Sequence, residues 1–435
     1  MNLQEFKRRR TALMRLMGTG SIAIVPSASE KIRNRDVTYP FRQDSDFWYL
    51  TGFDEPDAVA VLIPGRKAGD YILFCRERDP ERETWNGHRT GTAGALEEYG
   101  AADAFPIGDL DDILPGLIES CDSVFYTMGA NAAFDQRMMG WLNELRANGR
   151  TGARTPGEFV ALEHLLYDLR LFKSRSESGA MKHAAKISME AHRRAMRLAR
   201  PGLYEYEVEA EILHQFRAHG TREAYGSIVG SGANSCTLHY VTNDRQMQDG
   251  DLLLIDAGCE YGYYASDITR TFPVNGHFNA AQRAIYDLVL TAQKAGIDAC
   301  RAGNRFNAPH DATVQAITRG LIKLGLLKGT PAKLIKEGAY SKFYKHRAGH
   351  WLGLDVHDVG DYKIAGEWRE LEPGMVLTIE PGIYIPSGTQ GVAKKWWNIG
   401  VRIEDDVLIA RKGPDVLTGA LIKEAKDIED WMQTA

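Results

Sequence analysis

The chain has 435 residues, enough for two domains and a large core. A hydrophobic fraction of 44% and a charged fraction of 26% are ordinary for a globular protein, and a net charge of −5 gives no basis for nucleic acid or an anionic membrane as partner. The five cysteines (Cys75, Cys121, Cys236, Cys259 and Cys300) are odd in number and scattered, with no Cys-x-x-Cys pair. This disfavours a disulfide framework or a thiolate metal site and leads us to expect a reducing, cytoplasmic setting.

Residues 7–10 are basic, but no apolar run of signal-peptide length follows before Gly18, and no membrane span is expected. Helical spacing over 6–17 stops at Gly18. Strands are predicted at 21–25 and 123–126, and a hairpin at 58–63 and 71–74 around PGRKAGD. A helix is predicted over 134–147. Such alternation predicts a mixed sheet with helices, an α/β unit. The Gly- and Arg-rich stretch 148–157 marks the approach to a boundary, which we place after Lys173, giving domains 1–173 and 174–435. Ser174-Arg175-Ser176-Glu177 is a capping-box pattern, so a long helix should run from it to Pro201-Gly202. A second helix is predicted over 205–219, and a Gly/Ser-rich turn region over 227–234 leads to His239.

The stretch 252–270, LLLIDAGCEYGYYASDITR, reads as two β runs joined by a Gly-containing turn. A turn centred near Tyr261 would set Asp256 opposite Asp267 on one face. Two such carboxylates repel, and a cation between them removes that cost. Either acid alone could be a solvated strand-end residue. The pattern, however, recurs: DGDLLLIDAG (249–258) matches PGMVLTIEPG (373–382), with an acid at 256 and at 380. Helices predicted over 280–301 and 309–324 precede the second copy. The region is therefore helix, helix, sheet, twice, and reads as an internal duplication. The second half adds Glu404 at the end of GVRIE, with Arg402 two residues before it on the same strand face. Arg402 would orient a carboxylate, or form a surface ion pair worth little.

His346, His350 and His357 lie in HRAGHWLGLDVHDVG. A helical His-x-x-x-His zinc site needs Glu after the first His, and here Arg347 follows it; Gly349 and Gly353 also oppose a regular helix. The set Asp256, Asp267, His350, Glu380 and Glu404 offers four carboxylates and one imidazole. It balances two divalent cations, and its oxygen-rich donors favour Mn²⁺ or a similar hard ion. Asp267 and Glu404 would bridge two ions about 3.5–4 Å apart.

These motifs resemble the pita-bread metallopeptidases, and among them the Xaa-Pro aminopeptidases. The carrying segments are IDAG (255–258), SDITRTF (266–272), HWLGLDVHD (350–358), TIEPGIYIP (378–386) and GVRIEDDV (400–407), joined in the first domain by RNRDVTYPFRQDSDFWYLTGF (33–53) and RDPERETWNG (78–87). The resemblance implies a creatinase/prolidase-like α/β domain followed by a pita-bread domain with pseudo-twofold halves. It implies release of the first residue from peptides with proline second, by a hydroxide bridging two metals. Asp256, Asp267, His350, Glu380 and Glu404 would be the metal ligands, with Glu380 also the general base. His239, His357 and Arg402 would serve catalysis. His346 would contact the proline side, with Tyr384 as a candidate apolar shelf for the ring. Trp85 resembles a Trp that reaches a neighbouring subunit's site, and a homotetramer or homodimer is implied. Relatives usually carry His-Gly-x-Ser-His where this chain has His346-Arg347-Ala348-Gly349-His350, which puts the conformation of that loop in question, because Arg avoids positive φ. Alternatives are a prolidase restricted to Xaa-Pro dipeptides, and a non-catalytic binding module. A creatinase-like enzyme would lack the metal ligands.

Overall fold

The computed structural model describes residues 1–119 and 121–433. The chain divides into two compact units, Met1–Arg170 and Leu171–Ala435; the sequence reading put the boundary after Lys173.

The first unit is built on a mixed six-stranded sheet. Its central strand Ser21–Pro26 pairs antiparallel with Val59–Leu62 and parallel with Ser123–Phe125. Alternation decides the packing. Ile22 and Ile24, Val59 and Val61, and Ile72 and Phe74 share one face, where they meet Leu114 and Ile118 of helix Leu110–Glu119 and Met138 and Trp141 of helix Ala132–Ala147. The five cysteines are free thiols.

The second unit is the duplicated one. Its first helix, Arg175–Leu198, starts with a complete capping box, Ser174 and Glu177 each satisfying the other's backbone N–H. Helix Glu205–Ala218 packs beside it, and the antiparallel strands Ile228–Ser231, Leu252–Asp256 and Thr269–Pro273 follow. The second half repeats the order with helices Ala280–Ala299 and Ala308–Lys323, then strands Val376–Ile379 and Asp405–Ala410, and Gly382–Ile385 with Ile399–Arg402. Both halves share one apolar core running from Ile212 and Leu253 to Val289 and Ile383.

Two local expectations change. The segment read as a turn contains the strand Ile228–Ser231. Gly230 is there because a Cβ would come within 3.0 Å of the Asn234 carbonyl, so its role is close backbone approach and not a bend. The hairpin register also differs. Asp256 pairs with Thr269, and Tyr261 with Tyr264, so the turn lies at Gly262-Tyr263, one residue later than expected. Both turn residues take positive φ, 54° and 69°. Asp267 is thus displaced two residues from the position opposite Asp256, still on its face.

Candidate active site

The two halves meet over a cavity of about 920 Å³ whose wall includes Asp256, Asp267, His350, Glu380 and Glu404. Each arrives at the end of a regular element or in a turn braced by one. Asp256 ends its strand. Asp267 follows the hairpin, which closes because Gly258 has no Cβ: one would lie 1.8 Å from the Ser266 carbonyl. Glu380 follows Val376–Ile379, and Glu404 sits between two strands.

The donors converge. Asp267, His350 and Glu404 each offer one ligand atom, all within 4.8 Å of one another. His350 Nε2 is 3.4 Å from Asp267 and 3.8 Å from Glu380. Its Nδ1 lies 2.9 Å from the Trp351 carbonyl, which can only accept. Nδ1 therefore carries a hydrogen, and Nε2 faces the carboxylates, which push the ring up to about 9 and hold a proton on Nε2 unless a cation takes its place. The loop holding His350 is fixed by a two-way contact: Thr378 N donates to His350 O (2.9 Å), and His350 N donates to Thr378 Oγ1 (3.2 Å).

Burial works against the carboxylates. It pushes Glu380 up to about 7 and Glu404 well above its usual range, aided in both by neighbouring acids. Burial also raises Asp256, opposed by the Arg402 guanidinium. Burial would raise Asp267 as well, but the hydrogen bond and charge of His350 hold it below the ordinary value. Four clustered carboxylates, of which only Asp256 touches a guanidinium, are a costly excess of negative charge, the kind that a divalent cation removes. The donor set, oxygen-rich with one imidazole and no thiolate, fits such a group.

Arg402 is buried and reads nothing like a surface ion pair. It donates from Nη2 to Asp256 (2.5 Å), from Nε to Thr269 Oγ1 (3.0 Å) and from Nη1 to the Tyr384 hydroxyl (3.0 Å). Its partner is thus Asp256 of the other half, not Glu404. Tyr384 is 1% exposed and is not among the residues lining the cavity; it stands behind the site and is no shelf for a ring. Its hydroxyl donates to His346 Nε2 (2.8 Å), and His346 Nδ1 donates to the Arg347 carbonyl (2.7 Å). Both His346 nitrogens are committed, and burial pushes this ring down to about 3, so it meets the cavity as a neutral wall. His239 and His357 also line the cavity and are exposed to it, with the His357 ring 4.3 Å from that of His350. Trp85 belongs to the first unit, 84% exposed on helix Pro80–Asn86.

Arg347 does not take a positive φ, so its replacement of glycine costs no backbone strain. The steric requirement falls at Gly349, where a Cβ would lie 1.8 Å from the Thr378 carbonyl.

Sequence reasoning missed three residues. The Tyr225 hydroxyl lies 2.7 Å from Asp256 and 2.5 Å from Asp267, sharing one proton between two acids. Thr269 donates to Glu404 (2.7 Å) while accepting from Arg402. Asp406 accepts from the Asp267 backbone N–H (3.2 Å). The signal for Thr269 and Asp406 was their place beside ligand motifs; Tyr225 carried none.

A duplicated helix–helix–sheet unit closing on buried carboxylates and one imidazole defines a class of metal-dependent hydrolase. The profile described as Metallopeptidase family M24 matches residues 179–411, and that described as Aminopeptidase P, N-terminal domain matches 6–126. The chain belongs to metallopeptidase family M24. It is 44% identical over 434 residues to an Xaa-Pro aminopeptidase of Escherichia coli (strain K12), covering 99% of this chain and 98% of that one. It is 37% identical to Xaa-Pro aminopeptidase 3 of Rattus norvegicus, covering 98% and 85%. Among solved structures, the Pseudomonas aeruginosa aminopeptidase PepP superposes with a TM-score of 0.99 at 58% identity, covering 100% and 98%. An E. coli aminopeptidase P in complex with substrate gives 0.97 at 44%, covering 100% and 99%.

Proposed function

We propose that the chain is an Xaa-Pro aminopeptidase, releasing the N-terminal residue from peptides with proline at the second position. The observation that carries this is the convergence of Asp267, from the first half, with His350 and Glu404, from the second, in a chain so similar to Xaa-Pro aminopeptidases over its whole length. Asp256, Asp267, His350, Glu380 and Glu404 would hold two divalent ions, with Mn²⁺ the expected occupant given the oxygen donors. Bound there, such ions supply Lewis acidity at the scissile carbonyl and lower the pKa of a water.

The protein's own groups do the rest. Glu380 has no strong hydrogen-bonding cation against it, and its raised pKa suits it to take a proton from the attacking water and deliver it to the departing proline nitrogen. His239 and His357, open to the cavity, donate to the oxygen on which charge develops. Arg402 opposes the rise that burial imposes on Asp256 and orients its carboxylate. The chain Arg402 to Tyr384 to His346 keeps His346 neutral, and its ring face forms one side of the proline pocket. A proline amide has no N–H, so a wall without an acceptor loses nothing by receiving it. We further propose domains 1–173 and 174–435, a cytoplasmic enzyme, and a homotetramer or homodimer in which Trp85 serves a neighbour's site.

The test is release of the first residue from Xaa-Pro, Xaa-Pro-Yaa and Xaa-Ala-Yaa peptides with Mn²⁺, with and without chelator. We expect cleavage of Xaa-Pro-Yaa, lost with chelator and absent for Xaa-Ala-Yaa. Cleavage of Xaa-Pro dipeptides alone would make it a prolidase.

A further inference from the structure

The cavity that carries the carboxylates also has an aromatic wall. Phe306 lies 4.7 Å from Tyr362 and 6.1 Å from Trp368, ring centre to ring centre. Trp368 gathers two cations. The Arg347 guanidinium carbon and the Lys363 ammonium each lie 4.6 Å from its ring centre, and all three residues line the cavity.

Both cations are held in place. Lys363 sits directly across from Trp368 in the hairpin Lys363–Ile364 and Glu367–Trp368, whose turn residues Ala365 and Gly366 have φ of 50° and 85°. Arg347 belongs to the loop whose carbonyl accepts from His346. Neither forms an ion pair with a carboxylate among the described residues. Two acids nearby are engaged and a third is turned away. Asp311, which feels the Arg347 charge, accepts from Asn307 (2.7 Å). Glu370 is the partner of Arg305, and Glu367 neighbours Trp368 along the strand and points to the opposite side of it.

The cavity therefore has two charge signs. Carboxylates gather where His350 stands, and unpaired cations surround Trp368. A peptide has the matching polarity, an ammonium at its start and a carboxylate at its end. The ammonium belongs with the acids, because Arg347 and Lys363 would repel it. We infer that Arg347, Lys363 and Trp368 form a carboxylate-binding subsite for the part of the peptide downstream of proline. It receives either the C-terminal carboxylate of a short substrate or an acidic side chain. Arg347 supplies a planar fork for bidentate contact and Lys363 a second point charge, while the indole holds both against the wall. This rests on the Xaa-Pro aminopeptidase reading.

The test uses the full-length, Mn²⁺-loaded protein and three peptides: Ala-Pro-Ala, its C-terminal amide, and Ala-Pro-Glu amide. Steady-state kinetics should give a KM about tenfold lower for a carboxylate-bearing peptide than for Ala-Pro-Ala amide. In Arg347→Gln/Lys363→Gln that ratio should fall to about one. The single variant Lys363→Gln, on an exposed hairpin, should lie between and guards against a folding defect in the double variant. A preference confined to Ala-Pro-Ala identifies the terminal carboxylate as the ligand; one confined to Ala-Pro-Glu amide identifies the side chain. A KM ratio near one in the unmodified protein, or one unchanged in the variants, overturns the subsite and leaves the aminopeptidase reading intact. Cleavage of none of the three peptides overturns that reading, and the subsite falls with it.

Discussion

The two halves of the second unit place an acid at the end of equivalent strands, yet surround it differently. Asp256 is wrapped: Arg402 donates to one oxygen and Tyr225 to the other. Glu380 has no such partners; the nearest imidazoles are the neutral His346 at 3.7 Å and His350 at 3.8 Å. Burial raises both acids, but at Asp256 a guanidinium in direct contact opposes it, while at Glu380 the opposing charges act from further away. Duplication supplied two copies of one group, and their surroundings then separated them. One is held in place by a guanidinium and a hydroxyl, as the proposed metal ligand would need. The other is a carboxylate poised near neutrality, suited to moving a proton.

The most severe way to break this comparison is to remove a residue that both halves depend on. Asp267→Ala takes away the acid that faces His350 across the boundary between halves. We expect activity to fall by at least about a thousandfold, with loss of bound metal measured on the purified protein. Chelation should act likewise and be reversed by adding Mn²⁺. Activity that survives either treatment would remove the metal site from the mechanism.

The acids themselves sharpen it next. Glu380→Gln should lower kcat by about 10²–10³ while most of the metal stays bound. Asp256→Asn should weaken metal binding first, and added Mn²⁺ should restore part of its activity. If the two variants behave alike in metal titrations, their surroundings do not separate their roles.

A smaller effect is expected at Thr269, the hydroxyl that joins the halves by donating to Glu404 and accepting from Arg402. Thr269→Val keeps the shape and removes both hydrogen bonds. Metal affinity should fall by roughly 10–100-fold, as for other residues that orient ligands. Unchanged affinity would show that Glu404 and Arg402 hold position without it.

How much of this was legible follows from what a sequence can encode locally. The strand-end acids were readable because an apolar run ending in Asp-Ala-Gly or Glu-Pro-Gly carries both the strand and its stop. The capping box at Ser174 was readable for the same reason. The hairpin register was not, because Tyr263 takes a left-handed conformation that its side chain does not advertise. Strand Ile228–Ser231 was hidden by glycines needed for close approach, which look like glycines needed for turning. Tyr225 and the buried state of Arg402 depend on which segments the fold brings together, and no spacing encodes that. Tyr384 was misjudged in a similar way: an aromatic residue beside a ligand motif suggested a wall, whereas its hydroxyl is what the site uses.

The mildest test concerns what lies beneath the two acid strands. The first helix of each half presents a fully buried polar side chain to the sheet. In the first half it is His192, whose Nε2 lies 2.9 Å from the Ala257 carbonyl; in the second it is Gln293, which donates to Asp405 (2.6 Å). Only the first can titrate. Burial pushes His192 down to about 4, below its ordinary value near 6.5. The unfolded chain therefore takes up a proton at this residue as pH falls through about 6.5, and the folded chain does so only near 4. Stability from this residue is complete above pH 6.5 and is lost on acidification between these values, by at most about 3 kcal/mol. His192→Gln, which gives the first half the residue type of the second, should leave activity at pH 7 nearly unchanged and flatten the pH dependence of denaturant midpoints between 7 and 4.5. An equal slope in both proteins would mean that acid sensitivity arises elsewhere and that the two halves are supported alike.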